Sequence, residues 1–308
     1  MNEKRTKALA DFIQNKDLAT LGHFLDIQDK LDEQSENDAN DKQEILLGDC
    51  LELMRYIPDV SIDMILCDLP YGTTACKWDT IIPFDKLWEQ YERIIKLNGA
   101  IVLFGSEPFS SYLRMSNIKL YRYDWIWNKV NGGNFQLARK QPLKVHETIS
   151  VFYKNMPTYN PIFTEADLAK NHKRGKEKNI NIKHVSSKEL KYSDERDETK
   201  RFPISILTYN GLGAECNSHK RMHGSQKRLD LIEYLIKTYT NKNDLVLDNT
   251  AGSGTTAIAC LNTKRQFIVM EKEQKYYDTI LYRDWETDRK STRLNSSHSA
   301  KSRMPSSA

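Results

Sequence analysis

Two short stretches of this chain hold residue types that could do chemistry together. One is Asp68-Leu69-Pro70-Tyr71, and the other, about 180 positions later, is the glycine loop Asp248-Asn249-Thr250-Ala251-Gly252-Ser253-Gly254. An acid, a rigid proline and an aromatic plate in succession make a seat for a flat base bearing an exocyclic amine. Closely spaced glycines let backbone amides approach a cofactor. Each stretch follows an apolar run, residues 62–67 and 245–247, so each is expected to leave the C-terminal end of a buried strand, where open α/β sheets bind ligands. Methyl transfer to a nucleobase is the chemistry such a pair suggests. By itself an Asp-x-Pro turn is common, and its specificity comes from the glycine loop that accompanies it.

Other chemistries fit poorly. The glycine loop lacks a P-loop lysine and does not complete the Gly-x-Gly-x-x-Gly pattern of dinucleotide folds. Cys50, Cys67, Cys76, Cys216 and Cys260 are odd in number and scattered, which reads as reduced thiols. His223 has no paired His or Cys spacing, so no metal is expected. The 308 residues, 39% apolar and 29% charged, suit a globular protein with one sizeable core, and no run approaches the roughly 18 apolar residues of a spanning helix. The expected location is the cytoplasm, with no membrane partner.

The formal charge of +4 is less informative than its distribution. Residues 288–308 hold five basic side chains and one acid, leaving 41 of each sign in the preceding 287 residues. This Ser-rich segment, which begins Asp-Arg-Lys-Ser-Thr-Arg, resembles a translated sequencing adapter and is read as a non-native tail. Residues 129–201 hold sixteen basic and nine acidic side chains, a local field suited to nucleic acid, although a lysine-rich run is often only a solvated face.

The elements that would position the two motifs follow from periodicity. Residues 1–42 read as a helical extension and linker. An α/β body begins with strands at 45–47 and 62–67, then a helical stripe of Phe84, Leu87, Trp88, Tyr91 and Ile95, with Asn98-Gly99 as its stop. Strands at 100–104, 121–127 and 148–153 follow, with a helix near 109–115. Periodicity fails between residues 155 and 202 and returns as a helix at Leu229, Ile232, Leu235, Ile236 and Tyr239. A strand at 245–247, a helix at 255–261, a strand at 266–270 and a helix from 273 complete the pattern. Alternation of this kind implies a mostly parallel sheet.

From about residue 44 to 282 the chain resembles bacterial and phage DNA amino-methyltransferases. The Asp68-Leu69-Pro70-Tyr71 turn matches that family's [Asp/Asn/Ser]-x-Pro-[Tyr/Phe/Trp] signature, and the glycine loop matches its Phe-x-Gly-x-Gly element, with Thr250 where phenylalanine is usual. Met222-His223-Gly224-Ser225-Gln226-Lys227-Arg228 is similar to the His-x-x-Gln-Lys element before that loop. The order, catalytic turn first, is that of the family's beta group.

The resemblance implies a Rossmann-like, circularly permuted fold with catalytic and cofactor halves at 43–154 and 207–282 and a target-recognition insert at 155–206. It implies S-adenosylmethionine as cofactor and double-stranded DNA as substrate, in a bacterial cell or phage-infected host, and it leaves open a homodimer and a cognate restriction enzyme. The N6 amine of adenine is the expected target, with Asp at position 68 favouring it by family analogy. Cytosine N4 is the alternative, ahead of RNA or protein methylation or a catalytically inactive DNA-binding protein. Asp68 and the Leu69 carbonyl would accept from the target amine, Pro70 fix the turn and Tyr71 stack on the base. Asp248, Thr250, Gly252, Gly254 and Thr255 would surround the methionine part of the cofactor, with Glu271 at its ribose, Asp49 at its adenine, and His223, Gln226 and Lys227 at its carboxylate end. Asp49 could equally be a helix cap. Extrusion of the base is then required. Asn131-Gly132-Gly133-Asn134-Phe135-Gln136 reads as a loop with flexible glycines whose Phe135 is expected at the DNA, with Arg139, Lys140 and Lys144 for phosphates; the alternative for Phe135 is a loop side chain folded onto the core.

Overall fold

The computed structural model describes residues 42–74, 76, 79–165, 199–210 and 226–282. The expectations for the N-terminal helices, for His223, for most of the recognition insert and for the tail lie outside them. Contacts divide the chain between Lys42 and Gln43, and the description concerns the second unit.

Eight strands form one sheet. They are β1 (Gln43–Leu47), β2 (Ile62–Cys67), β3 (Ile95–Gly105), β4 (Tyr121–Gly133), β5 (Lys144–Phe152), β8 (Ile206–Thr208), β9 (Leu245–Asp248) and β10 (Gln266–Glu271), in the spatial order β1-β10-β9-β2-β3-β5-β4-β8. Two-residue strands β6 (Thr164–Glu165) and β7 (Lys200–Arg201) pair separately at the base of the insert. Only β5 runs against its neighbours in the large sheet. The short connection from β4 to β5 makes a hairpin, which forces antiparallel pairing. This brings the start of β5, and Glu147 with it, to the end of the sheet where β2 and β9 also finish. β8 begins at Ile206, so the last residue assigned to the insert belongs to the main sheet.

Side chains alternate across the strands and feed two cores. Ile65, Cys67, Ile101, Leu103, Leu247, Ile268 and Met270 pack on one face with α1 (Cys50–Leu53), α2 (Phe84–Ile94) and α3 (Phe109–Ser116). Met64, Leu66, Val102, Phe104, Val246 and Val269 pack on the other with α4 (Leu229–Tyr239), α5 (Thr255–Thr263) and Ile280 of α6 (Gln274–Leu281). Burial on both faces explains the nearly continuous apolar runs of the central strands.

Two expectations need correction. Asn98-Gly99 does not stop the helix; α2 ends at Ile94 and the pair lies within β3. There the β2–β3 register shifts between Ile62↔Ile95 and Met64↔Ala100, and a Cβ at position 99 would lie 2.8 Å from the Asp63 carbonyl oxygen. Glycine is thus required by close approach rather than by helix termination. Likewise, Asn131, Gly132 and Gly133 are the end of β4, and the turn proper begins at Asn134, whose φ is 60°.

Leu235 is fully buried in α4, whereas Leu281 is 46% exposed. Leu235→Ala should lower unfolding free energy by about 3 kcal/mol and Leu281→Ala by roughly 0.5 kcal/mol or less, measured by urea denaturation. Equal midpoints for the two variants would contradict this placement of the core.

Candidate active site

β2 and β9 are parallel neighbours through Met64↔Val246 and Ile65↔Leu247. Their following loops therefore open together, into a crevice of about 880 Å³ lined by both motifs and by Asp49, Glu147, Gln226, Lys227, Thr255 and Glu271.

At the catalytic turn both Asp68 oxygens are engaged. Oδ1 accepts from the Tyr71 hydroxyl at 2.6 Å, and Oδ2 lies 2.7 Å from Lys227 Nζ. Lys227 is also 3.2 Å from Glu147 Oε2, and the other Glu147 oxygen pairs with Lys129. The row Lys129, Glu147, Lys227, Asp68 alternates in sign and is formally neutral. Burial works against the Lys227 ammonium, but Asp68 and then Glu147 outweigh it and raise its pKa above the ordinary lysine value. Burial likewise pushes Glu147 up, yet Lys227 and Lys129 hold it below the usual carboxylate range. The Lys227 ammonium sits 5.2 Å from the Phe104 ring centroid and 5.7 Å from that of Tyr71.

Tyr71 is stacked on Phe109, with centroids 4.9 Å apart. Burial, reinforced by Asp68, raises its pKa well above normal, so its hydroxyl stays a neutral donor. The chain after Tyr71 is held by Asp79, whose carboxylate accepts from the amides of Gly72, Thr73 and Thr74 at 2.8, 2.9 and 2.7 Å. Burial pushes that carboxyl up, but the Thr74 side chain and the three amides hold it lower than usual.

On the glycine-loop side, Asp248 Oδ1 accepts from the Thr250 amide at 3.0 Å and Oδ2 from the Thr256 hydroxyl at 2.6 Å. Burial pushes its pKa up to about 7. Glu271 Oε2 accepts from the Gly252 amide at 2.8 Å and Oε1 from the Glu273 amide at 2.9 Å, and burial raises its pKa. Gly252 and Gly254 have φ of 55° and 78°, and a Cβ on Gly254 would come within 3.0 Å of Ile280. Asp49 caps α1 through the Leu51 amide at 3.0 Å and faces Lys272 at 3.2 Å.

Among the described residues, four buried side-chain atoms have no hydrogen-bond partner: Glu147 Oε2, whose contact with Lys227 is an ion pair only, Gln226 Oε1, Asn249 Nδ2 and Thr255 Oγ1. All four residues line this crevice. Buried polar atoms are normally satisfied, so their collection here marks a place for a polar ligand. No group of three or more metal-ligating side chains occurs among the described residues.

The expected residues are thus largely gathered. Asp68, Leu69, Pro70, Tyr71, Asp49, Gln226, Lys227, Asp248, Thr250, Gly252, Thr255 and Glu271 share the crevice, and Gly254 starts α5 behind it. Lys227, expected at a cofactor carboxylate, is turned to Asp68, and Thr250 donates its hydroxyl to the Asp68 carbonyl at 3.1 Å. Asn134 lines the crevice, and the adjacent Phe135 is 75% exposed, not folded onto the core. Arg139 and Lys140 are exposed on the same hairpin tip, whereas Lys144 is half-buried and donates to Ser106 Oγ. Sequence reasoning missed Lys129, Glu147 and Asp79, which only strand register and loop closure bring in, and it gave Asn249 no role within the glycine loop.

Comparison with known proteins agrees with this arrangement. A family model described as DNA methylase, covering N6 and N4 enzymes, matches residues 62–282. The type II methyltransferase M.HinfI of Haemophilus influenzae is 29% identical over 266 residues, 76% of this chain and 66% of its own length, just under two thirds. M.HpaI of Haemophilus parainfluenzae is 22% identical, over 77% of this chain and 72% of its own. Among solved structures, the M1.HpyAVI-SAM complex aligns with TM-score 0.53 at 23% identity, covering 77% of this chain and 96% of that one. The cytosine-N4-specific PvuII DNA methyltransferase aligns with TM-score 0.57 at 16% identity, covering 83% and 94%. At these identities the structural likeness speaks to the fold. Together with the family match over most of the chain, the permuted motifs in one crevice mean that this protein belongs to the N6/N4 DNA methylase family.

Proposed function

We propose that the protein transfers a methyl group from S-adenosylmethionine to the N6 amine of adenine in DNA. The observation that carries this reading is the single crevice into which the Asp68 turn and the glycine loop both open. Its residues fit the cofactor. Asp248 offers a buried carboxylate to an ammonium, Glu271 acceptors to ribose hydroxyls, and Gln226 and Thr255 unpaired oxygens to polar groups. The cofactor supplies a methyl already activated on a sulfonium, so positioning and electrostatics remain for the protein.

An adenine amine is a weak nucleophile because its lone pair is delocalised into the ring. Each Asp68 oxygen already takes one donor and keeps a second lone pair, so it can accept from the amine while Lys227 and Tyr71 hold the carboxylate in orientation. The Leu69 carbonyl is the second acceptor. As nitrogen bonds to the methyl, the methyl's bond to sulfur would break and positive charge pass to nitrogen; Asp68 stabilises that charge until one amine proton is lost and the methylated base is neutral again. Extrusion of the base from the duplex brings the DNA to the hairpin tip, where Phe135, Arg139 and Lys140 are exposed. Residues 155–206 are assigned the choice of sequence. Cytosine N4 presents the same kind of amine, and the fold likeness to a cytosine-N4-specific enzyme keeps that reading beside the first. Base-resolution mapping of DNA from a methylation-deficient host expressing the protein separates them.

Four outcomes test these roles. Asp68→Ala should lower methyl incorporation into DNA about 100-fold or more while calorimetry finds the S-adenosylmethionine affinity within about threefold of the parent; near-parental turnover would remove Asp68 from the chemistry. Tyr71→Phe, which keeps the ring, should retain more activity than Tyr71→Ala.

With its pKa near 7, Asp248 is mostly protonated at pH 6, and a cationic ligand prefers the ionised form. Cofactor affinity should therefore rise roughly fivefold between pH 6 and 7, while the ligand's own ammonium is still mostly protonated. Asp248→Asn should flatten the profile, and a flat parental profile would contradict the pairing.

Lys227→Met leaves Asp68 without its cation and Glu147 with Lys129 alone, and should cost about 3 kcal/mol of unfolding free energy. Adding Glu147→Gln should recover part of that loss; denaturation midpoints that do not respond would show the charges to be independent.

A further inference from the structure

We infer that Asn249 and Thr250 form a polar clamp that fixes the catalytic turn to the glycine loop, making them positioning residues for methyl transfer. The inference rests on the function proposed above and goes beyond it. The last register pair joining β2 to β9 is Ile65↔Leu247, and beyond it the two strands are no longer paired with each other. Side chains take over where the ladder stops. The Cys67 thiol donates to Asn249 Oδ1 at 2.8 Å, and the Asn249 amide N–H returns to Cys67 Sγ at 3.4 Å. One residue further on, the Thr250 hydroxyl donates to the Asp68 carbonyl at 3.1 Å. The Tyr91 hydroxyl of α2 donates to the same Asn249 oxygen at 2.7 Å and locks the amide from below.

Asn249, Cys67 and Tyr91 are each at most 2% exposed, so these bonds have no competition from water. Burial keeps the Cys67 thiol and the Tyr91 hydroxyl protonated, the state in which both donate. The covalent connectivity gives the clamp its consequence. Cys67 precedes Asp68, and Asn249 sits between Asp248 and Thr250, so a ligand that settles the glycine loop also settles the carboxylate and the Leu69 carbonyl that meet the target amine. Thr250 is the departure from the phenylalanine usual at that place in the loop. Its hydroxyl is directed at the catalytic turn, a contact that phenylalanine has no donor to make.

Thr250→Val removes the hydroxyl and keeps the shape, whereas Thr250→Ser keeps the donor. With saturating DNA and S-adenosylmethionine, Thr250→Val should slow single-turnover methyl transfer about tenfold, with cofactor dissociation constant within about threefold and an unchanged melting temperature. Thr250→Ser should return to within about threefold of the parental rate. Hydrogen exchange supplies a readout without catalysis. Cofactor should protect both the glycine loop and residues 66–72 in the parent, but only the glycine loop in Thr250→Val.

Parental transfer by Thr250→Val would overturn the clamp. So would a loss of cofactor affinity equal to the loss of rate, which would make Thr250 a ligand contact, or equal impairment of the Ser and Val variants tracking their melting temperatures. A parent that shows the coupled protection yet methylates no DNA would uphold the clamp and overturn the function proposed above.

Discussion

The site depends on one lateral contact, the parallel pairing of β2 with β9 across 182 positions of sequence. Only two register pairs, Met64↔Val246 and Ile65↔Leu247, define it. Without that pairing the acid turn and the glycine loop are two unrelated loops. With it, both leave the sheet at the same end, on neighbouring strands, with their carboxylates and amides converging. Such contacts between distant segments close a long loop for little local gain, so they must be supported by burial. Both faces of β2 and β9 supply it, with Met64 and Val246 in one core and Ile65 and Leu247 in the other.

The reversed strand β5 matters for a different reason. A fully parallel sheet would put the start of that strand at the far end, and Glu147 with it. Because the hairpin turns β5 around, Glu147 comes up beside Lys227 and Lys129 and completes a neutral row of charges ending at Asp68. A buried ion pair is a poor source of net stability, since desolvation offsets most of the attraction. What the row supplies is orientation. Asp68 is held by Lys227 at one oxygen and Tyr71 at the other, which leaves its remaining lone pairs pointing in fixed directions.

Much of this was legible in the sequence, and the failures have physical causes. Apolar runs and helical stripes located β2, β9, α2 and α4 because burial on a fixed period leaves a mark on residue types. Asp68, Tyr71 and Glu271 were legible because they follow such runs directly. Glu147 and Lys129 were not: a charged residue near a hairpin reads as surface until cross-strand register is known. Asn98-Gly99 misled because Asn-Gly is a common stop, while here the glycine is demanded by the Asp63 carbonyl. Lys144 misled in the opposite sense, since a lysine beside a basic tip looks like a phosphate contact and instead turns inward to Ser106.

The polar atoms left without partners extend the argument from structure to energetics. Desolvating a donor or acceptor without a partner typically costs about 1–3 kcal/mol, so Gln226 Oε1, Asn249 Nδ2 and Thr255 Oγ1 each tax the ligand-free fold. Asp248 adds to this as pH rises: its native pKa, raised to about 7 against 3.8 for the free side chain, means that stability falls between those values as the unfolded chain ionises first. A ligand that is cationic near Asp248 and polar near the others offsets these costs together, and by binding the folded state it stabilises that state by mass action. The same features that make the crevice expensive when empty therefore select for a zwitterionic, hydroxyl-rich cofactor and against an apolar molecule of equal size.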